Sequence, residues 1–269
     1  LLRSPLALDT AANAEHVLDG QTIMISPLSV HFGTNFKSQL AAVVLFTIAN
    51  GNGGAIRGGW DDILGLFETL LPNGLLPPSV ASMRDASLAA KIPIPLKAKK
   101  GPMLRAAPAQ SGGLFSTLSS YFLSPYGGAV DPMDVGEAEI ESSLCTLDCL
   151  ASCKIEELHA QLANLPDAAL GAYADALHRR LQPHLERAEE EALYTPTTLF
   201  LLEELAETTT SRPALLDRAG AHAMNACRTL LDKATDRHPL ELERSVVNAL
   251  RLLGTAAREG RPGVRANLA

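Results

Sequence analysis

Residues 36–74 read FKSQLAAVVLFTIANGNGGAIRGGWDDILGLFETLLPNG. Phe36, Leu40, Val43, Val44, Phe46 and Ile48 recur at helical spacing as a wide apolar face, and Asn50-Gly51 supplies a left-handed stop. Beyond the glycine loop, Trp60, Ile63, Leu64, Phe67, Leu70 and Leu71 repeat the period until Pro72-Asn73-Gly74 ends it. Two amphipathic helices joined by a short glycine loop predict an antiparallel hairpin over 36–71, the unit from which helical repeats are built.

Toward the C-terminus the same signal continues. Periodicity predicts helices at 137–151, 153–165, 167–189, 196–208, 213–233 and 239–257, with Leu and Ala inside and Glu and Arg outside. Thr195-Pro196 and His238-Pro239 read as helix starts with proline at the first helical position, and Asp167 and Ser211 read as caps. Helices joined by short turns predict an all-α chain, a HEAT/armadillo-like helical-repeat solenoid. Toward the N-terminus, residues 1–25 carry no period and read as an irregular lead-in. Between hairpin and stack, six prolines from Pro77 to Pro108 exclude a continuous helix, so 79–112 reads as a solvated basic linker.

Composition narrows the function classes. The chain has 269 residues, 46 % of them hydrophobic, a net charge of -7 and a mean hydropathy of +0.08. It can bury a sizeable core and is not globally disordered. Its longest apolar run, LAAVVLFTIA at 40–49, falls short of the roughly 18–20 residues that span a membrane. The first residues lack the basic-then-apolar layout of a secretion signal. Four cysteines, three of them within 145–153, do not form a disulfide framework, which points to a reducing cytoplasmic setting. Charge is uneven: residues 1–136 carry 9 basic and 9 acidic side chains, while 137–269 carry 14 and 21. Within 79–111, Arg84, Lys91, Lys97, Lys99, Lys100 and Arg105 face a single acid, Asp85. The acidic balance argues against nucleic acid as a partner, while the local basic run allows an anionic contact.

No motif carries catalysis, a cofactor or a metal. Gly51, Gly53, Gly54, Gly58 and Gly59 follow a helix end instead of a strand, so their free φ angles explain them better than a bound phosphate. Cys145, Cys149 and Cys153 would stack on one helix face. The outer two would be about 12 Å apart, too far to share one zinc ion, and they read as small buried hydrophobes. The seven histidines are scattered, with His178 and His184 on a solvated Arg-rich face. Carboxylate pairs such as Glu203-Glu204 and the run Glu189 to Glu191 read as outer helix faces.

One segment is of a different kind. On a helix, residues 113–124 (GLFSTLSSYFLS) place Leu114, Phe115, Leu118, Tyr121 and Phe122 on one face and only Ser and Thr on the other. Such a charge-free amphipathic helix inserts at lipid-packing defects, on curved membranes or lipid-droplet monolayers. The upstream Lys97, Lys99, Lys100 and Arg105 would each add about 1 kcal/mol near an anionic leaflet. The alternative is that the same apolar face docks on the body of the protein.

Three blocks, FGTNFKSQLAAVVLFTIANGNGGAIRGGWDDILGLFETLLPNGLLP (32–77), GGLFSTLSSYFLSPY (112–126) and LCTLDCLASCKIEELHAQLANLP (144–166), resemble the large Golgi Arf guanine-nucleotide exchange factors of the Gea/GBF class, with a fungal composition. FTIANGNG and R-x-GW are the most specific elements. In that family such sequences form the first homology region downstream of the catalytic domain, so the resemblance assigns 26–166 to that region and 167–269 to the start of the second. It implies membrane and lipid-droplet targeting, with Arf-family or other small GTPases and coat machinery as partners of the parent protein. Nothing here matches the family's glutamate loop, so no catalytic residue carries over. The family's dimerisation region has no match either. The expectation is a non-catalytic regulatory and membrane-targeting fragment, cytoplasmic and peripheral on Golgi membranes. The rival expectation is a helical scaffold that binds a small GTPase or coat protein without touching lipid.

Overall fold

Short polar side chains set where the helices begin. Ser26 accepts from the Ser29 amide while Ser29 accepts from the Ser26 amide, a reciprocal box that starts α1 (Pro27–Gly33). Asn35 caps α2 (Phe36–Ala49) through the Ser38 amide, and the helix stops at Gly51, whose φ is 77°. The computed structural model describes residues 13–18, 21–85, 90–96, 136–187, 195–233 and 240–259.

The remaining elements are β1 (Ala14–Leu18), β2 (Gln21–Ile25), α3 (Gly53–Ile56), α4 (Gly59–Leu70), β3 (Ser82–Asp85), β4 (Ala90–Pro93), α5 (Glu137–Ser152), α6 (Ile155–Gln161), α7 (Asp167–Arg187), α8 (Pro196–Thr210), α9 (Pro213–Asp232) and α10 (Leu240–Glu259). The described residues are thus mostly helical, with two small antiparallel sheets. Thr195 caps α8 through the Thr198 amide, with Pro196 at its first position. Ser211 closes α8 instead of opening α9, its hydroxyl donating to the Thr208 carbonyl, and Arg212 is the N-cap of α9. His238-Pro239 lies outside the described residues.

Helix α8 is the axis of the core. It packs on α7, α9 and α10, and α9 packs on both α7 and α10, so each of these four helices meets the next and the next but one. Leu199, Phe200, Leu201, Leu202 and Leu205 are fully buried along α8. Phe200 meets the edge of Phe67 at 6.2 Å, Phe67 stacks on Phe46 at 6.4 Å, and Trp60 meets Tyr173 edge-on at 4.9 Å. These rings join the 36–74 stretch to the helices that follow it by a hundred residues.

Helices α2 and α4 touch through the Phe46–Phe67 stack, but neither is the other's main packing partner. Helix α4 packs mainly on α7, and α2 packs mainly on α5. Arg180 clasps Glu68 across α4 and α7 with two bonds of 2.7 and 2.6 Å. Burial pushes the Glu68 carboxyl up, but Arg180 and His184 outweigh it and hold the group below its ordinary value. On α2, Ala42, Phe46 and Ala49 face inward, whereas Phe36, Leu40, Val44 and Ile48 face outward. Because α2 is apolar on nearly every side, period alone could not say which side is covered.

Helices α1 and α5 approach closely through small residues. Ser29 and Ser143 share a buried 2.8 Å hydroxyl bond, Thr146 donates to the Ser29 carbonyl, and Gly33 lies against the backbone of Ser142. Asn50 reaches from the end of α2 to the Phe46 and Cys153 carbonyls, and Gln161 accepts from the Gly51 amide at 2.8 Å. The glycine loop is therefore clasped by the 144–166 block, and Gly53 leaves room for Leu165.

Two segments read as irregular contain strands. Within the 1–25 lead-in, β1 pairs antiparallel with β2 from Ala14↔Ile25 to Leu18↔Gln21. Within the 79–112 linker, β3 pairs with β4, Met83 opposite Ile92 and Arg84 opposite Lys91. Val80, Met83, Ile92 and Ile94 are buried, and β3 packs on α8 and α10. Strands of four residues are too short to show alternation, and Pro93 is tolerated at the end of an unpaired edge.

Candidate functional site

All nine expected lipid-contact residues fall between 97 and 135: Lys97, Lys99, Lys100, Arg105, Leu114, Phe115, Leu118, Tyr121 and Phe122 lie outside the described residues, as does the Glu189 to Glu191 run. Within the described residues, the polar chemistry converges on α8.

The pair Glu203-Glu204 is not an outer face. The two residues are 3 % and 6 % exposed, in the middle of LFLLEELA. Acids flanked by leucine on both sides, on a helix apolar all round, must point inward somewhere; that was the available signal. Glu204 accepts from the Tyr173 hydroxyl of α7 at 3.0 Å and meets Nε2 of His159 of α6 at 3.0 Å. Burial pushes the Glu204 carboxyl up, yet His159, Lys91 and Tyr173 together hold it below its ordinary range. Burial disfavours a charged His159, but Glu204 overrides this and raises its pKa. Tyr173, fully enclosed and beside Glu204, stays a neutral donor with its pKa well above the ordinary value.

Glu203 points the other way. One oxygen accepts from the Ser245 hydroxyl of α10 at 2.7 Å, the other from the Arg84 amide of β3 at 3.3 Å. Asn248 of α10 donates to the Arg84 carbonyl. One turn along α8, Glu207 holds Lys91 at 2.7 Å and Arg84 at 3.3 Å. Three successive acidic positions of α8 thus tie α6, α7, α10 and the β3–β4 hairpin to one helix. The cations expected to be solvated in a linker serve here as hairpin fasteners. Chemically the cluster stores a charge pair and a proton.

Burial pushes the Glu203 carboxyl up to about 7, against the opposing bonds from Ser245 and Arg84. Between the ordinary value of 4.5 and about 7 the native state therefore holds a proton that the unfolded chain has released. Stability should fall as pH rises through that window and level off above it. His159 acts in the same direction: its raised pKa contributes stability below 6.5 that is lost as pH rises through the folded value. Glu203→Gln mimics the protonated acid. It is expected to stabilise the protein by about 1–2 kcal/mol at pH 8 and to have little effect at pH 5. Thermal unfolding from pH 5 to 8 checks this; an unchanged slope in the variant would overturn it.

Cys153 is buried, Cys149 half-buried and Cys145 exposed, all free. Burial pushes the Cys153 thiol up to about 12. Among the described residues no three His, Cys, Asp or Glu side chains converge as metal ligands, and no helix is long and apolar enough to cross a membrane. His184 lies 3.8 Å from Glu68 instead of facing solvent. His178 stacks on His222 at 3.9 Å in an open cleft of about 280 Å³ between α7 and α9, bordered by Gln182, Glu186 and Asn225. Burial and His222 lower the His178 pKa.

No family model and no solved structure matches the chain. It is 35 % identical over 170 residues to an uncharacterized protein of Schizosaccharomyces pombe, a match covering 62 % of this chain and 11 % of that protein. It is 42 % identical over 66 residues to the ARF guanine-nucleotide exchange factor GNOM of Arabidopsis thaliana, covering 23 % of this chain and 4 % of that protein. The chain thus spans a small part of each relative's length and has a partial likeness to an ARF exchange factor.

Proposed function

We propose that this chain is a non-catalytic, helical-repeat regulatory region of an Arf guanine-nucleotide exchange factor, acting at Golgi membranes and lipid droplets. The observation that carries the reading is the 66-residue likeness to GNOM. The order of α7 to α10, each packed on the next and the next but one, supports describing the scaffold as HEAT/armadillo-like repeats. The mechanism is positional. The helical body holds the rest of the parent protein at a set distance, while Leu114, Phe115, Leu118, Tyr121 and Phe122 enter packing defects. Lys97, Lys99, Lys100 and Arg105 attract anionic head groups.

Flotation of the 269-residue chain on small phosphatidylcholine–phosphatidylserine vesicles tests this. Wild type is expected to float and a Leu118→Asp, Phe122→Asp double variant to remain at the bottom. Equal flotation of both, or of neither, sinks direct lipid insertion and leaves the scaffold that binds a small GTPase or coat protein.

A further inference from the structure

Helix α2 turns a strip of large apolar side chains outward. Phe36, Leu40, Val44 and Ile48, at successive i+4 positions, are 73, 52, 48 and 63 % exposed, with no cover among the described residues. The strip is about 18 Å long, and contiguous bare patches of this kind mark contact sites. Gln39 and the half-buried Val43 form the adjoining row on the side of α5. There the Gln39 amide reaches the Cys145 sulfur at 3.7 Å, and Cys149 donates to the Gln39 carbonyl at 3.8 Å. Glu141 and Asp148 lie four residues before Cys145 and three after it, on the same face of α5. Both are exposed, and among the described residues neither has a cation within ion-pair distance. Helix α5 carries no Lys, Arg or His, and Glu137 and Glu139 add to its charge. Lys37 is the only charged residue of α2, and Lys154, beyond the end of α5, is held by Glu157 at 3.0 Å. The surface is therefore an apolar strip with an acidic border along one edge.

We infer that this surface docks a basic amphipathic helix of another protein, its apolar side on α2 and its Lys and Arg residues along the α5 edge. Recognition of a helix by an apolar strip uses anchors at i, i+3, i+4 and i+7. These span about 10 Å and fit within the length of α2 that is bare. Charge complementarity selects the partner. Glu141 and Asp148 are about 10 Å apart along α5, so cations at i and i+7 of an incoming helix can meet both. The same acids repel an acidic helix of equal hydrophobicity, which gives the dock its specificity.

The rival occupants fit less well. A two-fold contact between copies of this chain presents the same patch from both sides, acidic border included. One helix face also offers far less than the roughly 800 Å² per partner of a stable dimer, whereas a transient helix contact needs no such area. An anionic bilayer is repelled by the acids of α5. The dock depends neither on lipid insertion nor on the likeness to an exchange factor.

Fluorescence anisotropy of a labelled leucine–lysine peptide of about 18 residues, leucines on one helix face, tests the dock on the 269-residue chain. Wild type is expected to bind it at least tenfold more tightly than a leucine–glutamate counterpart. Leu40→Ser, Val44→Ser and, separately, Glu141→Lys, Asp148→Lys are each expected to weaken binding at least tenfold. Thermal unfolding should not change, because all four sites are exposed. Asp217→Lys, Glu243→Lys makes the same charge change at exposed sites on α9 and α10 and is expected to leave binding unaltered. An equal loss in that control would mean plain attraction between net charges and overturns the proposal. A wild type that fails to bind, or binds both peptides alike, overturns it too. A dimer in sedimentation that Leu40→Ser, Val44→Ser abolishes also overturns it and gives the strip to a second copy. Vesicle flotation lost in that variant gives the strip to lipid, again overturning it.

Discussion

Glu204→Ala is expected to destabilise the protein by about 3–5 kcal/mol, the cost of removing one partner from a buried charged pair. The loss has two sources in the geometry. The Tyr173 hydroxyl, on a residue with no exposed surface, would lose its acceptor, and His159 would lose the carboxylate that favours its charge. Tyr173 cannot turn to water without opening the α7–α8 contact, so its desolvation cost remains, whereas His159, on α6 and partly exposed, keeps some access to water. In a chain of this size the midpoint of thermal unfolding should drop by roughly 10 °C. Glu204→Gln keeps an acceptor for Tyr173 and gives up only the charge, so about 1–2 kcal/mol should be lost. Urea unfolding of both variants at pH 7 separates the effects. A Glu204→Ala protein within 1 kcal/mol of wild type would place this carboxylate outside the core.

Gly33→Ala is the second large effect, expected at about 3 kcal/mol, the upper range of overpacking. An added Cβ would collide with the backbone carbonyl of Ser142 and lie 3.0 Å from Thr146 Oγ1. A flexible side chain could swing aside, but a helix backbone cannot, so α1 and α5 must separate. That would also weaken the Ser29–Ser143 and Thr146–Ser29 bonds at the same interface. Gly54→Ala is the control: it lies in α3, and nothing falls within 4 Å of its added Cβ. It should be neutral or gain up to about 1 kcal/mol. Equal stability of the two variants would mean that the α1–α5 approach is looser than described.

The helices were legible because their signals are local. Apolar spacing, Thr195-Pro196 and Asn50-Gly51 act within one turn of the chain. What covers each face is decided by residues far away. The 36–71 stretch shows two apolar helices, yet only packing against α5 and α7 decides that Phe46 goes in while Phe36 stays out. The strands escaped notice because four or five residues hold too few alternations. The cationic character of Arg84 and Lys91 also concealed their pairing with Glu207. Glu203 and Glu204 look like a surface pair in sequence for a related reason. Adjacent acids usually mark a wet surface, and the partners that make burial tolerable, His159, Tyr173 and Ser245, lie 31 to 45 residues away.

Such distances also bear on how the chain is made. Glu68 of α4 waits for Arg180, 112 residues later, and Ser29 waits for Ser143, 114 residues later. At about 5–20 residues per second of synthesis, the inner faces of α1 and α4 leave the ribosome roughly 6–20 s before their partners exist. During that interval Trp60, Phe67 and Leu70, all buried in the finished protein, have no α7 or α8 to cover them. Until α7 and α8 emerge, these apolar faces stay open to water on the growing chain.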